Sequence, residues 1–287
     1  MAKFWYLFFV PLFALLSVVE FYPIAESVYL SLVAAGDRLQ PSNYVAMVND
    51  SAFWNSVNIS LLYSMTSTFI AVGLGLGLAF LLTENLRGRG VLEAFYVVPL
   101  AVAPIVVGTL WSPPEMWDDI QTFLHFILGQ PYFNELSPAF FFPVMAYSEA
   151  WEWGPLIMLV ALSVISSTPR AVYESAELYG ASGLRKFRRV TLPIVMRSPV
   201  MRFVIVLRFI DAMRAFEIPQ TWASWVSSTT AVGSPVDTLS LFLYKLMFIP
   251  TYNFPIGLIS AVAVSLFLVS LAAAALMLGL VRTIGGR

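Results

Sequence analysis

Glu174-Ser175-Ala176-Glu177-Leu178-Tyr179-Gly180-Ala181, followed by Phe187 and by Val190-Thr191-Leu192-Pro193, forms a polar island between two long apolar runs. Pro169 fits the first turn of a helix, where its missing N–H would be unpaired anyway, and Thr168 is placed to cap that helix. Gly180 is the natural residue for the left-handed turn that ends it. Ser182 is placed to cap a second helix, in which Leu184, Phe187 and Thr191 recur at helical spacing while Arg185, Lys186, Arg188 and Arg189 face water or lipid headgroups. Pro193 is expected to end that helix. From the residues alone two readings stay open: a basic surface hairpin, or a docking site for another protein.

The rest of the chain is too apolar for water. Hydrophobic residues make up 59% of the 287 and charged residues 11%, too few polar side chains to cover a soluble globule. A bilayer core needs about 20 apolar helical residues per crossing. Six windows qualify: 4–33, 57–82, 91–112, 139–165, 199–221 and 254–282. The expectation is therefore an all-α integral membrane protein, one domain over 1–287, with six transmembrane helices and the hairpin at about 166–198. The opening run after Lys3 reads as a retained first span, because Glu20, Tyr22 and Pro23 stand where a signal peptide would have its small-residue cleavage site.

Orientation follows from the cations. Lys3, Arg87, Arg89, Arg170, Arg185, Lys186, Arg188, Arg189, Arg197, Arg202, Arg282 and Arg287 all fall on one side of a six-span chain, which the positive-inside rule makes cytoplasmic, both termini included. The opposite connections hold Arg38 and Lys245 against Asp37, Asp50, Glu115, Asp118, Asp119, Glu135 and Asp237. The basic residues thus read as topology signals rather than nucleic-acid contacts. The connections at about 34–56, 113–138 and 222–253 are loop-sized and read as caps on the outer mouth.

Catalytic chemistry is hard to find. The chain has no cysteine and one histidine, His125, so thiolate sites are excluded and metal catalysis is not expected. No G-x-x-x-x-G-K-[ST] phosphate loop occurs, so ATP hydrolysis would have to be done by a partner. Asp118-Asp119 are adjacent and read as loop residues. Within the spans, Pro99 and Pro104 predict a kink in the third helix. Gly73, Gly75 and Gly77, with Ala272 to Ala275, predict small faces for close helix packing. Trp111, Trp117, Trp222 and Trp225 read as an interfacial belt.

The unusual charges lie inside spans. At 1.5 Å per residue, the fourth helix reaches the midplane near 150 and the fifth near 209, which sets Glu149 and Glu152 level with Arg208 and Asp211. Ions at that depth cost several kcal/mol unless paired or hydrated. Arg208, Asp211, Arg214 and Glu217 alternate in sign at three-residue spacing, so neighbours can pair along one face. A structural ion network and a substrate site both remain open on this pattern.

A resemblance joins these features. The 174–181 stretch resembles the cytoplasmic EAA loop of permease subunits of binding-protein-dependent ABC importers. Trp151, Gly154, Pro169, Tyr173, Leu192-Pro193 and Phe216 keep the order seen in sugar-importer permeases. So do Tyr22-Pro23, Asn43-Tyr44, Phe53-Trp54, Asn58, Pro99, Trp111, Gly233-Ser234-Pro235, Thr238, Tyr244 and Phe248, and the likeness covers about residues 5–282. Tyr179 stands where the family usually has Asp, Ser175 replaces the second motif residue, and Pro199 comes slightly late. The resemblance to the maltose and glycerol-phosphate uptake type implies a type I ABC importer permease fold with a cytoplasmic coupling helix. It implies ATPase docking through Tyr173, Glu174, Ala176, Glu177, Gly180 and Ala181. It also implies a substrate path along Glu149, Glu152, Trp153, Arg208, Phe209 and Asp211, where carboxylates and arginine bind sugar hydroxyls and aromatic rings stack on sugar faces. The implied partners are a second permease in a heterodimer, two ATPase subunits that bind ATP and Mg, and an extracytoplasmic binding protein. The implied solute is a mono- or oligosaccharide; glycerol phosphate or a polyamine, and a gradient-driven secondary transporter, are the alternatives.

Overall fold

The computed structural model describes residues 6–33, 39–83, 88–113, 115–129, 138–226, 232–249 and 254–285. Lys3, Asp37, Arg38, Arg87, Glu135 and Arg287 lie outside the described residues, as do the side chains of Glu115, Trp117 and Arg282. The chain runs through α1 (Phe9–Leu32), α2 (Ser42–Val48), α3 (Ser51–Thr83), α4 (Arg89–Ala101), α5 (Pro104–Trp111), α6 (Glu115–Leu128), α7 (Pro138–Ser167), α8 (Arg170–Leu178), α9 (Gly183–Arg197), α10 (Pro199–Met213), α11 (Glu217–Val226), α12 (Leu239–Phe248) and α13 (Ile256–Gly285). Four of these, α1, α3, α7 and α13, are long and apolar enough to cross a membrane. Six spans result when each bent pair, α4 with α5 and α9 with α10, counts as one.

Proline chemistry explains both bends. The kink expected in the third window is a full break of 100°. A 3-10 turn at Val98–Ala101 gives way to extended backbone at Val102 and Ala103, and Pro104 restarts the helix at a position where its lacking N–H costs nothing. The second bend, 73°, falls between Arg197 and Pro199, because Ser198 is extended with ψ 130° as the residue before a proline prefers. Pro193 does not end its helix, contrary to expectation. A wide π turn at Phe187–Thr191 precedes it and the helix runs on to Arg197; the widened turn absorbs the clash a proline ring would otherwise make. The window 199–221 is likewise not one helix, since α10 stops at Met213 and α11 starts at Glu217.

The connections read as loops carry helices of their own: α2, α6 and α12. Asp118 and Asp119 are thus helical, on α6. The tryptophan belt is only partly there. Trp222 is fully buried, and Trp111 packs edge-on against Tyr147 and Trp151, whereas Trp225 is exposed.

Packing is tightest between α3 and α7. A Cβ built on Gly75 would lie 2.5 Å from Ile157 Cβ and 2.7 Å from the Gly154 carbonyl oxygen, while Gly73 and Gly77 face open space. The small face therefore serves α7 at one glycine. In α13, Ala273 and Ala274 are buried while Ala272 and Ala275 are exposed. One apolar cluster, including Ala79, Ile157, Met158, Val195 and Met201, fills the hairpin end. A second, including Tyr63, Val107, Met145, Ile218 and Trp222, fills the far end.

A buried ion pair braces that far end. Lys245 Nζ donates to Asp237 Oδ1 at 2.7 Å, and the Gly233 and Ser234 N–H groups donate to Oδ2 at 3.0 Å. Burial pushes the Asp237 carboxyl above the usual range, against the pull of Lys245 and the two backbone donors. No membrane midplane is involved; the pair lies between the fifth and sixth windows.

Because α3 and α7 touch backbone to backbone at Gly75, replacing it with valine should separate them and cost about 1–3 kcal/mol. A lower thermal midpoint in detergent for Gly75→Val, with Gly77→Val unaffected, is the expected result.

Candidate functional site

The polar groups of α3, α7 and α10 meet between the two apolar clusters. Arg208 is 0% exposed. Its Nη1 donates to Glu149 Oε1 at 3.0 Å and lies 3.6 Å from Asp211 Oδ2. Its Nη2 donates to Ser67 Oγ, and Ser67 Oγ donates to Glu149 Oε2 at 3.2 Å. The guanidinium carbon stands 5.1 Å from the Trp153 ring centroid, within cation–π range. Arginine, serine and glutamate thus close a ring of charge-assisted bonds that ties three helices together.

Beside this ring opens a cavity of about 280 Å³. Glu149, Glu152, Trp153 and Asp211 line it, joined by Arg214, Phe216 and Glu217 from the break between α10 and α11 and by Pro104 from the break before α5. Glu152 is 7% exposed and its Oε2 has no hydrogen-bond partner. The carboxylates, arginine and aromatic rings here suit recognition of a hydroxyl-rich solute.

Five of the six pathway residues read from the sequence come together. The exception is Phe209, which packs with Met213 and Ala273 on another face of α10, because one residue further along a helix turns about 100° away from its neighbour. Pairing along 208, 211, 214 and 217 stops after Asp211, since Arg214 lies past the end of the helix. Sequence reasoning missed Ser67, Arg214, Phe216 and Glu217 as site residues. The signal for Ser67 was present: Ser56, Ser60, Ser64 and Ser67 recur at helical spacing through an apolar span, all buried.

The hairpin has its own geometry. Gly180 has φ +79°. The Ala181 N–H donates to Ala176 O at 3.0 Å and the Gly180 N–H to Glu177 O at 2.9 Å, the paired bonds of a glycine-terminated helix. Lys186 Nζ meets Glu177 Oε1 at 2.6 Å, clipping α9 to α8. Phe187 packs on Phe80 of α3, ring centroids 4.8 Å apart. Tyr173 and Ala176 turn partly inward, and the Tyr173 hydroxyl is enclosed without a partner. Ala181 is also half-buried, while Glu174 and Gly180 face out. Thr168 does not cap α8: its Oγ1 donates back to Val164 O at 2.9 Å, and Pro169 takes the capping position. Ser182 holds its predicted place, but only its backbone oxygen accepts, from the Arg185 and Lys186 N–H groups. Leu184 is exposed rather than packed. Leu178 and Tyr179 are 89% and 91% exposed, two large side chains at the tip that the sequence did not mark as contact residues. Among the described residues no cluster of His, Cys, Asp and Glu could hold a metal ion.

No protein-family model matches the chain. It is 28% identical to the trehalose/maltose transport system permease protein MalF of Thermococcus litoralis over 94% of its length and 90% of the relative's. It is 27% identical to the sulfoquinovosyl glycerol transport system permease protein SmoG of Agrobacterium fabrum, over 95% and 88%. Nearly its whole length is thus similar to ABC transporter permeases. Its fold matches a chain of a bacterial ABC transporter involved in the import of the acidic polysaccharide alginate, with a TM-score of 0.78 at 19% identity over 97% of this chain and 95% of that chain. Four of its described helices are long and apolar enough to cross a membrane, and these relatives are named as transport permeases.

Arg208→Met would leave Glu149 enclosed without its countercharge, at a cost of about 3–5 kcal/mol. The expected outcome is a lower thermal midpoint and less monodisperse protein on size exclusion, largely recovered by adding Glu149→Met. A single variant as stable as the native protein would show that the pair does not hold these helices.

Proposed function

We propose that the permease forms half of the translocation pathway for a sugar, mono- or oligosaccharide, in an ATP-driven importer. It works as a heterodimer with a second permease, with two ATPase subunits that bind ATP and Mg and with an extracytoplasmic solute-binding protein. The observation that carries this reading is the cavity beside the Arg208 ring, where carboxylates, an arginine and the rings of Trp153 and Phe216 converge among apolar helices. Relatives named for trehalose, maltose and sulfoquinovosyl glycerol transport support a sugar as the solute. Glu149, Glu152, Trp153 and Asp211 contact it in this reading.

The exposed tip of the hairpin supports the coupling role. Leu178 and Tyr179 gain nothing from the fold of this chain, and large side chains left open at a rigid, glycine-turned tip suit a groove on a partner. Tyr173, Ala176 and Ala181 then shape the helix from within, while Glu174, Glu177 and Gly180 border the contact. A gradient-driven transporter would leave this tip without a task. In the cycle we envisage, ATP binding closes the ATPase pair, draws the two docking helices together and swings the pathway from inward-open to outward-open.

Leu178→Ser touches no packed residue, so it should leave the permease folded while weakening ATPase co-purification by about tenfold, the scale of one interface anchor. Gly180→Val forces a β-branched residue into a left-handed turn and should abolish both association and transport. If both variants keep the ATPase and transport at normal expression, the docking assignment is wrong.

The same reading puts the 83–90 and 166–198 segments and both termini in the cytoplasm. With no native cysteine, Ser182→Cys reports this directly: an impermeant thiol reagent should label it in inverted vesicles and not in intact cells. Labelling from outside would reverse the topology.

A further inference from the structure

Relatives of similar fold handle solutes of opposite character, since trehalose and maltose are uncharged while alginate is acidic. The cavity of this permease takes a side. Four carboxylates, Glu149, Glu152, Asp211 and Glu217, line it against Arg214, and Arg208 behind the wall is already bound to Glu149 and close to Asp211. Counting both arginines leaves the wall acidic. Protonating one carboxyl would still leave it so.

Acceptors outnumber donors as well. Glu152 is more than nine-tenths buried, lines the cavity and has an Oε2 with no hydrogen-bond partner, a group that is costly to enclose until something donates to it. Of the two arginines, Arg208 is sealed, with no exposed surface, its two terminal nitrogens held by Glu149 and Ser67 and its face against Trp153, which leaves Arg214 alone to answer an incoming anion against four carboxylates. A hydroxyl-rich neutral solute can donate to these carboxylates. A phosphate, sulfonate or carboxylate brings only acceptors and a repelled charge.

We infer that this cavity admits a hydroxyl-rich solute without negative charge and turns anionic sugars away. The inference rests on the cavity being the solute path, as proposed above. It makes Glu152 and Glu217 specificity-determining residues, with Glu152 receiving a solute hydroxyl.

The absence of native cysteine makes the wall's charge measurable. Ala215, a small lining residue, is changed to cysteine in the assembled complex. Its reaction with a cationic and an anionic methanethiosulfonate is followed by intact mass of this chain. Relative to a free thiol, the cationic reagent should be favoured at least tenfold, and Glu152→Gln with Glu217→Gln should cut that preference several-fold. Equal reactivity, or preference for the anionic reagent, overturns the inference. A second arm uses trehalose and trehalose 6-phosphate as protectants. Slowed labelling by trehalose alone supports both the charge inference and the sugar reading, and equal protection by the phosphate ester overturns the former. Cationic preference without protection by trehalose or maltose keeps the charge inference and counts against the sugar reading. Should Ala215→Cys assemble poorly, Ile218→Cys on the same wall serves instead.

Discussion

Arg208 is a guanidinium with no exposed surface in a helix bundle that crosses a bilayer, and the arrangement of the central helices follows from keeping it there. An unpaired ion in that position would cost several kcal/mol. Glu149 on α7 and Ser67 on α3 remove most of that cost only at hydrogen-bond distance, so the pairing fixes how α3, α7 and α10 slide and turn against one another. Replacing the pair by apolar residues could hold the bundle together as well. What an apolar trio could not do is specify one register, because leucine on leucine tolerates a shift that a three-way polar ring does not.

That register also decides where irregular backbone is allowed. A broken helix in a membrane exposes N–H and C=O groups that lipid cannot satisfy, so breaks are tolerated where protein or a polar cavity covers them. Two interruptions of this chain border the same cavity: the one before Pro104, and the one between Met213 and Glu217. The far walls are then held by separate braces. Thr238 Oγ1 donates to Ala215 O at 2.8 Å across the second break, and the Asp237–Lys245 pair with its backbone donors anchors the segment that carries Thr238.

Much of this was legible in the residues. Apolar windows mark the crossings because bilayer thickness sets their length, and counting 1.5 Å per residue from each end sets Glu149 level with Arg208. What resisted reading was rotation and termination. The resemblance groups Phe209 with Arg208, and neither likeness nor depth says which face a helix turns to its neighbour. Trp222 was placed at an interface by position along the span, yet it fills the second apolar cluster. Pro193 carried a stop signal that a π turn cancels, and the true bend waits for Pro199. Tyr179 reads as a departure from a motif and Leu178 as an ordinary member of it, and only their exposure shows that the fold has no use for either side chain.

The bend at Pro199 bears on how a push at the hairpin could reach the cavity. A bend in a helix is a hinge when the carbonyls it frees are left to water, and a rigid elbow when they are tied. Here Arg202 reaches back across the bend, its Nη2 donating to Arg197 O at 2.7 Å and its Nε to Met196 O at 3.4 Å, so the carbonyls that end α9 are held by a side chain of α10. At the other end of α9, the Lys186–Glu177 clip and the Phe187–Phe80 contact hold the hairpin to the same lever and to α3. In the proposed cycle, displacement of α8 therefore turns α9 and α10 together and carries Arg208 with them. Arg208 resists leaving Glu149, since separation exposes two enclosed charges at once, so α7 must follow. The motion is then taken up where the chain is already broken, at Pro104 and at 214–216, and these are the segments that wall the cavity. In the proposed cycle the ion ring therefore moves as one body with α7 and α10, and the interrupted segments that wall the cavity are the part that yields.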